Sequence, residues 1–181
     1  MLAKSLKFAV LTLMAYLLQA SVAQRIAIGG VAPNLAMALT AICAVGLGRK
    51  YAFVMSMTVG YLLEIMMPAV SYISIIGYPV CCMLGAIAFS DKSERVLEEY
   101  RTRGKDTRQL NPHIRTMLCA MMSVSLFELV NLVYTHLTGV ALADLKYMRA
   151  VVDIVYTVLL AGIFQFPIRW WMGVYQLKKA K

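Results

Sequence analysis

Long apolar blocks separated by short polar breaks run through nearly the whole chain, and each block has about the length of a membrane-crossing helix. The first, residues 8–24, lies between Lys7 and Arg25. A Gly-containing bend at IAIGGV follows, and a second block, 32–48, opens on Ala32-Pro33-Asn34, with the proline read as part of the first helical turn. Arg49-Lys50 closes that block. Blocks at 51–67 and 71–90 are joined by a few residues around Pro68, which makes them antiparallel neighbours, and Pro79 is expected to kink the second of them. After a long polar segment, Asn111-Pro112 reads as an N-cap followed by proline at the first helical position. It opens a fifth block, 112–137, that Gly139 closes. A mildly amphipathic connection, 138–149, leads to a sixth block, 150–166, which reaches Pro167. Arg169, Trp170, Trp171 and Tyr175 then form an interfacial belt. The pattern predicts an all-α integral membrane protein: one membrane domain over residues 1–181, built as a compact bundle of six transmembrane helices.

The first block has a second reading. Lys4 and Lys7, an apolar core and Ser21-Val22-Ala23 before Gln24 also fit a secretory signal peptide with its cleavage site. A retained helix is preferred, because a polytopic protein rarely needs a removable signal, and the orientation of the rest is the same either way.

Composition changes the picture in one respect. With 61% hydrophobic and 15% charged residues, the chain falls outside ordinary soluble domains, where charge runs near a quarter. The net charge of +9 would suggest a nucleic-acid partner in a soluble protein. Here the cations sit at the ends of apolar blocks, so they report topology and no nucleic-acid partner is expected. Lys4, Lys7, Arg49, Lys50, the cations of 91–115, Arg169 and the terminal lysines fall on one side; Arg25, Lys146 and Arg149 fall on the other. The rule that cytoplasmic loops carry the excess Lys and Arg gives both termini inside and a charged cytoplasmic loop at 91–111. Asp91 with Glu94 fits a capping box, so a short helix is expected to leave the membrane there. Arg101, Arg103 and Lys105 are candidates for cytoplasmic contacts.

Three acids inside the blocks need an account: Glu64, Glu128 and Asp153. A charge at mid-membrane costs about 2.5–3.5 kcal/mol, so each should face the bundle interior, find a partner or be neutral. Glu64, read as mid-span with no Lys or Arg at its depth, is expected to hydrogen-bond Ser, Thr, Tyr or Asn on a neighbour. Glu128 with Asn131, and Asp153 with Tyr156 or Arg149, form candidate polar clusters. Either a proton or substrate site, or polar glue between helices, accounts for them. Ala32, Ala36, Thr40, Ala44 and Gly48 fall at every fourth position, a small-residue stripe that serves close helix packing within the chain or docking of a partner. Gly77, Cys81 and Gly85 make a similar stripe in the fourth block. Cys43, Cys81, Cys82 and Cys119 lack zinc-site spacing and read as apolar filler. His113 and His136 fall at opposite ends of the fifth block. No nucleotide loop, catalytic constellation, cofactor motif or metal set is visible, and no enzymatic activity is expected.

Gly29-Gly30-Val31-Ala32-Pro33-Asn34-Leu35 resembles the opening of the second span in the rod-shape-determining MreD family, whose members carry Pro-Asp/Asn-Leu there. Gly60 followed by Glu64 looks like that family's Gly and acidic residue in the third span, where Asp is more usual. The Gly-containing fourth span, the charged hinge and two closing spans extend the resemblance over nearly the whole chain; Glu64 and the length of the hinge depart from the common pattern. The resemblance implies a fold similar to the substrate-binding subunits of energy-coupling-factor transporters. It also implies a non-enzymatic scaffold of the bacterial elongation machinery in the cytoplasmic membrane. Its implied partners are an MreC-like bitopic protein, an MreB-like filament, a RodA-like glycosyltransferase, a class B penicillin-binding protein and membrane lipid. The alternative is a substrate-binding subunit of a vitamin transporter of that related fold. The short, mostly apolar outer segments speak against it, since they offer few polar groups to hold a vitamin.

Overall fold

The computed structural model describes residues 2–66, 73–89, 102, 110–139 and 144–173. Helix α1 (Leu2–Leu17) continues through a π turn (Leu18–Val22) and a last helical turn (Ala23–Arg25). The remaining helices are α2 (Leu35–Gly46), α3 (Arg49–Met66), α4 (Ile73–Phe89), α5 (Pro112–Leu137) and α6 (Asp144–Met172). Among the described residues there is no strand, only an isolated bridge between Ile28 and Val31. Three helical stretches are long and apolar enough to cross a membrane: Ser5–Arg25, Pro112–Leu137 and Lys146–Met172.

The helix that organises the molecule is also the shortest. Helix α2 has 12 residues, about 18 Å at 1.5 Å per residue, and every residue from Leu35 to Val45 is buried. Helices α1, α3, α4, α5 and α6 surround it, with α3 against α4, α4 against α5 and α5 against α6. The ring closes tightly because of a layer of small side chains: Ala38, Ala41 and Ala44 of α2 meet Ala52, Ala86, Cys119, Ala120 and Ala161 from the other helices. In lipid no hydrophobic drive brings helices together, so close packing of small residues has to do it. The outer faces are the reverse of a soluble protein's. Leu13, Val54, Met57, Val80, Leu84, Val133, Leu159 and Ile163 are all exposed, a continuous apolar coat of the kind that soluble monomers avoid.

Successive helices run in opposite directions, so Lys7, Arg49, Arg115 and Arg169 gather at one end and Arg25, Lys146 and Arg149 at the other. Lys7 Nζ donates to the Trp171 carbonyl (3.0 Å) and Arg169 donates to the Pro112 carbonyl (3.1 Å), tying the first end together. At the other end the Tyr156 hydroxyl donates to the Ile26 carbonyl (3.0 Å).

Several boundaries differ from the sequence pattern. The second block is helical over Leu35–Gly46 and not over 32–48. Residues 32–34 are non-helical, and Asn34, with φ −86° and ψ 76°, is the N-cap. Pro33 lies before the cap and not in the first turn, because the Asn34 side chain takes the cap position by accepting the Met37 N–H. Arg49 and Lys50 open α3 where they were expected to close the second block; an Arg49 guanidinium nitrogen lies 3.4 Å from the Ile87 carbonyl of α4. Helix α6 begins at Asp144 and passes through Pro167 to Met172, where 150–166 was expected. Neighbouring helices in a bundle can compensate the rung that proline removes. Helix α5 covers 112–137 as expected, with the Asn111 side chain accepting from the His113 N–H at 3.4 Å. The capping box at Asp91 and most of the charged loop, including Arg101, Arg103 and Lys105, lie outside the described residues.

Candidate functional site

A re-entrant turn brings the chain back into the bundle. The Ile28 and Val31 backbones exchange both hydrogen bonds (3.0 and 3.1 Å), with Gly29 at φ 62° and Gly30 at φ 78° between them. Two successive left-handed residues make a tight two-residue hairpin, and glycine adopts that conformation without a Cβ penalty. Three further residues then run inward before α2 begins. A helix starting inside an apolar bundle leaves its first N–H groups without intrahelical acceptors, and no water is at hand to satisfy them.

Side chains from two other helices, α1 and α6, and the cap itself provide what is missing. The Asn34 N–H donates to Thr157 Oγ1 (2.9 Å) and Asp153 Oδ1 (3.2 Å) of α6. The Ala36 N–H donates to Gln19 Oε1 in the π turn (3.1 Å), and the Met37 N–H to Asn34 Oδ1 (3.1 Å). Asn34 Oδ1 also accepts from the Tyr78 hydroxyl of α4 (3.0 Å), and Thr157 donates to Asp153 Oδ1 (2.9 Å). The Leu35 N–H reaches the Pro33 carbonyl (3.1 Å). Asn34, Thr157, Tyr78 and Asp153 are all buried. The network accounts for the N-terminal turn of α2 donor by donor, as buried backbone requires.

Beside this network lies a cavity of about 300 Å³ lined by polar and apolar groups together. Glu128 and Asn131 of α5 face Asp153 across it, with Gln19, Asn34, Ser74 and Tyr78 around the wall and Leu63, Ile73 and Phe127 completing it. Glu128 and Asp153, far apart in sequence, thus line the same cavity. The arrangement offers acceptors and hydroxyl donors to a small ligand, with no Lys or Arg among the residues lining it.

Glu64 binds one residue of the cavity wall, Ser74. Its carboxylate accepts the Ser74 N–H in the first turn of α4 (3.0 Å). A carboxylate there satisfies an orphan donor and complements the positive end of the helix. Gly60, one turn earlier, is a point of close approach between α3 and α4. A Cβ built on it would lie 2.6 Å from the Ser74 carbonyl oxygen and 3.1 Å from Tyr78 Cβ. Gly60 and Glu64 therefore serve the same junction, one by giving way and the other by binding.

The structure brings together two of the expected site residues and separates others. Glu128 and Asp153 share the cavity. Glu128 and Asn131, expected to form one polar cluster, both line it. Asp153 is not paired with Tyr156 or Arg149: Tyr156 turns to Ile26, Arg149 is exposed, and Asp153 is drawn inward by the α2 cap. Glu64 is in the last turn of α3, not mid-span, and it accepts the backbone N–H of Ser74 on the neighbouring helix. In the stripe, Ala36 and Thr40 are fully buried and Ala44 nearly so, while Ala32 and Gly48 are partly exposed. Thr40 Oγ1 contacts Cys82 Sγ of α4 at 3.2 Å, so the stripe serves packing inside the chain and its middle cannot receive another protein. In α4, Gly77 packs on Phe127 and Gly85 on Ser123 and Cys119, so that stripe serves α5. All four cysteines are free and buried, and no metal-binding group occurs among the described residues. His113 stacks on Phe166 at one end of α5, about 35 Å of helix from His136.

Sequence reasoning missed Gln19, Asn34, Tyr78 and Thr157 as site residues. Thr157 carried a usable signal, lying one helical turn after Asp153 and so on the same face. Asn34 carried another, as a cap-forming residue just ahead of an apolar block.

The molecule is thus an all-helical chain with membrane-protein character and a polar site buried at the N-terminus of its central helix. Comparison with known proteins adds no relative: no family model, no curated protein and no solved structure matches the chain.

Proposed function

We propose that this chain is a multi-pass, non-enzymatic scaffold subunit of the bacterial cell-elongation machinery, an MreD-like protein with six spans and both termini in the cytoplasm. The observation that carries the reading is the convergence of its two motif segments. Residues 29–35 form the re-entrant turn and the α2 cap, while Gly60 and Glu64 form the α3–α4 junction and touch Ser74, a residue of the wall of the same cavity that Asn34 lines. Residues far apart in sequence thereby maintain one local architecture. The gathering of Lys7, Arg49, Arg115 and Arg169 at one end supports the orientation, since Lys and Arg concentrate on the cytoplasmic side.

On this reading the chain recruits membrane helices of an MreC-like bitopic protein through its outer apolar faces, because the α2 stripe is occupied. RodA-like, penicillin-binding and MreB-like components follow from the same assembly. The basic loop carrying Arg101, Arg103 and Lys105 meets cytoplasmic partners or anionic headgroups, each cation near the surface contributing about 1 kcal/mol. The test is depletion in the rod-shaped host. Rounding of the cells, reversed by the wild-type chain, is the expected result. Persistent rods that fail to take up one nutrient would replace this reading with the other one.

That second reading, a substrate-binding subunit of a small-molecule transporter, is favoured by the cavity itself. A space of about 300 Å³ with several convergent polar groups is at the lower bound of ordinary ligand pockets. Outer loops poor in polar groups do not exclude it, because the polar groups lie deeper, on the helices.

A further inference from the structure

The ring around α2 has an open seam. Between α1 and α6 runs a groove of about 400 Å³, walled by Leu11, Met14 and Leu18 on one side and by Phe164, Ile168 and Trp171 on the other, with Leu39 of α2 at its floor. Its walls are apolar throughout. Met14 is 47% exposed and Trp171 39%, so the groove opens sideways to the surroundings of the bundle. The two walls run in register. Lys7, Leu11, Met14 and Leu18 follow one another on one face of α1, and Phe164, Ile168 and Trp171 do so on α6. Pro167 sits in the α6 wall, where its missing N–H weakens the helix ladder beside the seam.

One end of the groove is different. There Lys7 Nζ donates to the Trp171 carbonyl at 3.0 Å and sits 5.8 Å from the Trp171 ring centroid. An ammonium has three donors, and that contact engages one of them. The neighbouring Arg169 is committed elsewhere: it is buried, and its guanidinium donates to the Pro112 carbonyl and to Thr116 Oγ1 (2.6 Å). Among the described residues, Lys7 is the cation at the mouth. A cation and an indole at the end of an apolar furrow match a phosphate headgroup above one acyl chain, with the tryptophan at headgroup depth.

We infer that the α1–α6 groove binds one anionic phospholipid, its acyl chain along Leu11, Met14, Leu18, Phe164 and Ile168 and its phosphate at Lys7. The inference rests on the membrane character of the chain and not on its role in cell shape. Both halves are needed: the groove alone would take any acyl chain, and the cation sets the headgroup preference.

The experiment is native mass spectrometry of the full-length protein reconstituted in an equimolar mixture of phosphatidylglycerol and phosphatidylcholine, then released into mild detergent. Wild type should keep one lipid, with phosphatidylglycerol preferred by about fivefold, the factor expected of one basic residue near a membrane surface. Lys7→Gln should keep a lipid and bring the preference to about one. Met14→Trp, which fills the groove, should lose the bound lipid. Equal retention of both lipids by wild type, or an unchanged preference in Lys7→Gln, would overturn the inference. So would a dimer that forms as the lipid leaves, since a second copy would then be the occupant. Should Met14→Trp fail to fold, Lys7→Gln at the mouth of the groove decides alone.

Discussion

Asn34 holds the polar site together. Its amide oxygen is shared by the Met37 N–H and the Tyr78 hydroxyl, and its own N–H goes to α6. Asn34→Ala removes the cap and leaves two buried donors without an acceptor, each costing about 1–3 kcal/mol. A loss of about 2–4 kcal/mol is expected, read as a lower midpoint in thermal or detergent unfolding. Asn34→Asp keeps the acceptor and should lose less. At the α3–α4 junction, Glu64→Gln retains an oxygen for the Ser74 N–H and should keep normal amounts of folded protein. Glu64→Leu removes that oxygen, and a smaller folded fraction in fluorescence-detected gel filtration is the expected outcome. Equal yields for the two would show that the Ser74 cap contributes nothing.

Helix pairs are decided by how closely two backbones can come. Gly60 and Gly162 are both helical glycines, yet they should respond oppositely to alanine. At Gly60 the added carbon would meet a backbone oxygen at 2.6 Å, which only a shift of α4 against α3 can relieve. Overpacking of this kind costs about 1–3 kcal/mol. At Gly162 the nearest atom is the Met117 methyl at 3.4 Å, the far end of a flexible side chain. Gly162→Ala should therefore be neutral or slightly stabilising, since alanine is the better helix former by up to about 1 kcal/mol. Parallel unfolding curves for the two variants check the pair. Helix α2 shows the same logic at larger scale. Its small side chains allow five neighbours around it, and its short length is supplemented by the non-helical residues 32–34, which add at most about 10 Å to its roughly 18 Å.

For the whole molecule, alternating helices and the concentration of cations at one end define an orientation that can be measured directly. The four native cysteines are buried, so a single added cysteine dominates labelling by a membrane-impermeant maleimide. Gly139→Cys, beyond the end of α5, should label in intact cells. Leu110→Cys, ahead of α5, should label only after the membrane is opened. The reverse pattern would invert the proposed topology, and labelling of both in intact cells would remove the fifth span from the membrane.

Membrane character, an all-helical fold and the ends of α5 were legible in the sequence alone. These follow from local quantities: the length of apolar runs, the absence of polar backbone partners in lipid, and a cap formed by adjacent residues. The acids that need a partner were legible too, because an ionisable group in an apolar run stands out whatever surrounds it. The sequence did not reveal that 32–34 leaves the helix, that α2 lies at the centre, or that Asp153 binds the α2 cap in place of Tyr156 or Arg149. In a chain whose helices are nearly all apolar around their circumference, hydrophobicity does not distinguish the core helix from the lipid-facing ones. Which small faces meet, and which buried N–H groups then need an acceptor, depends on contacts between residues as far apart as Asn34 and Asp153, and only the tertiary structure decides those.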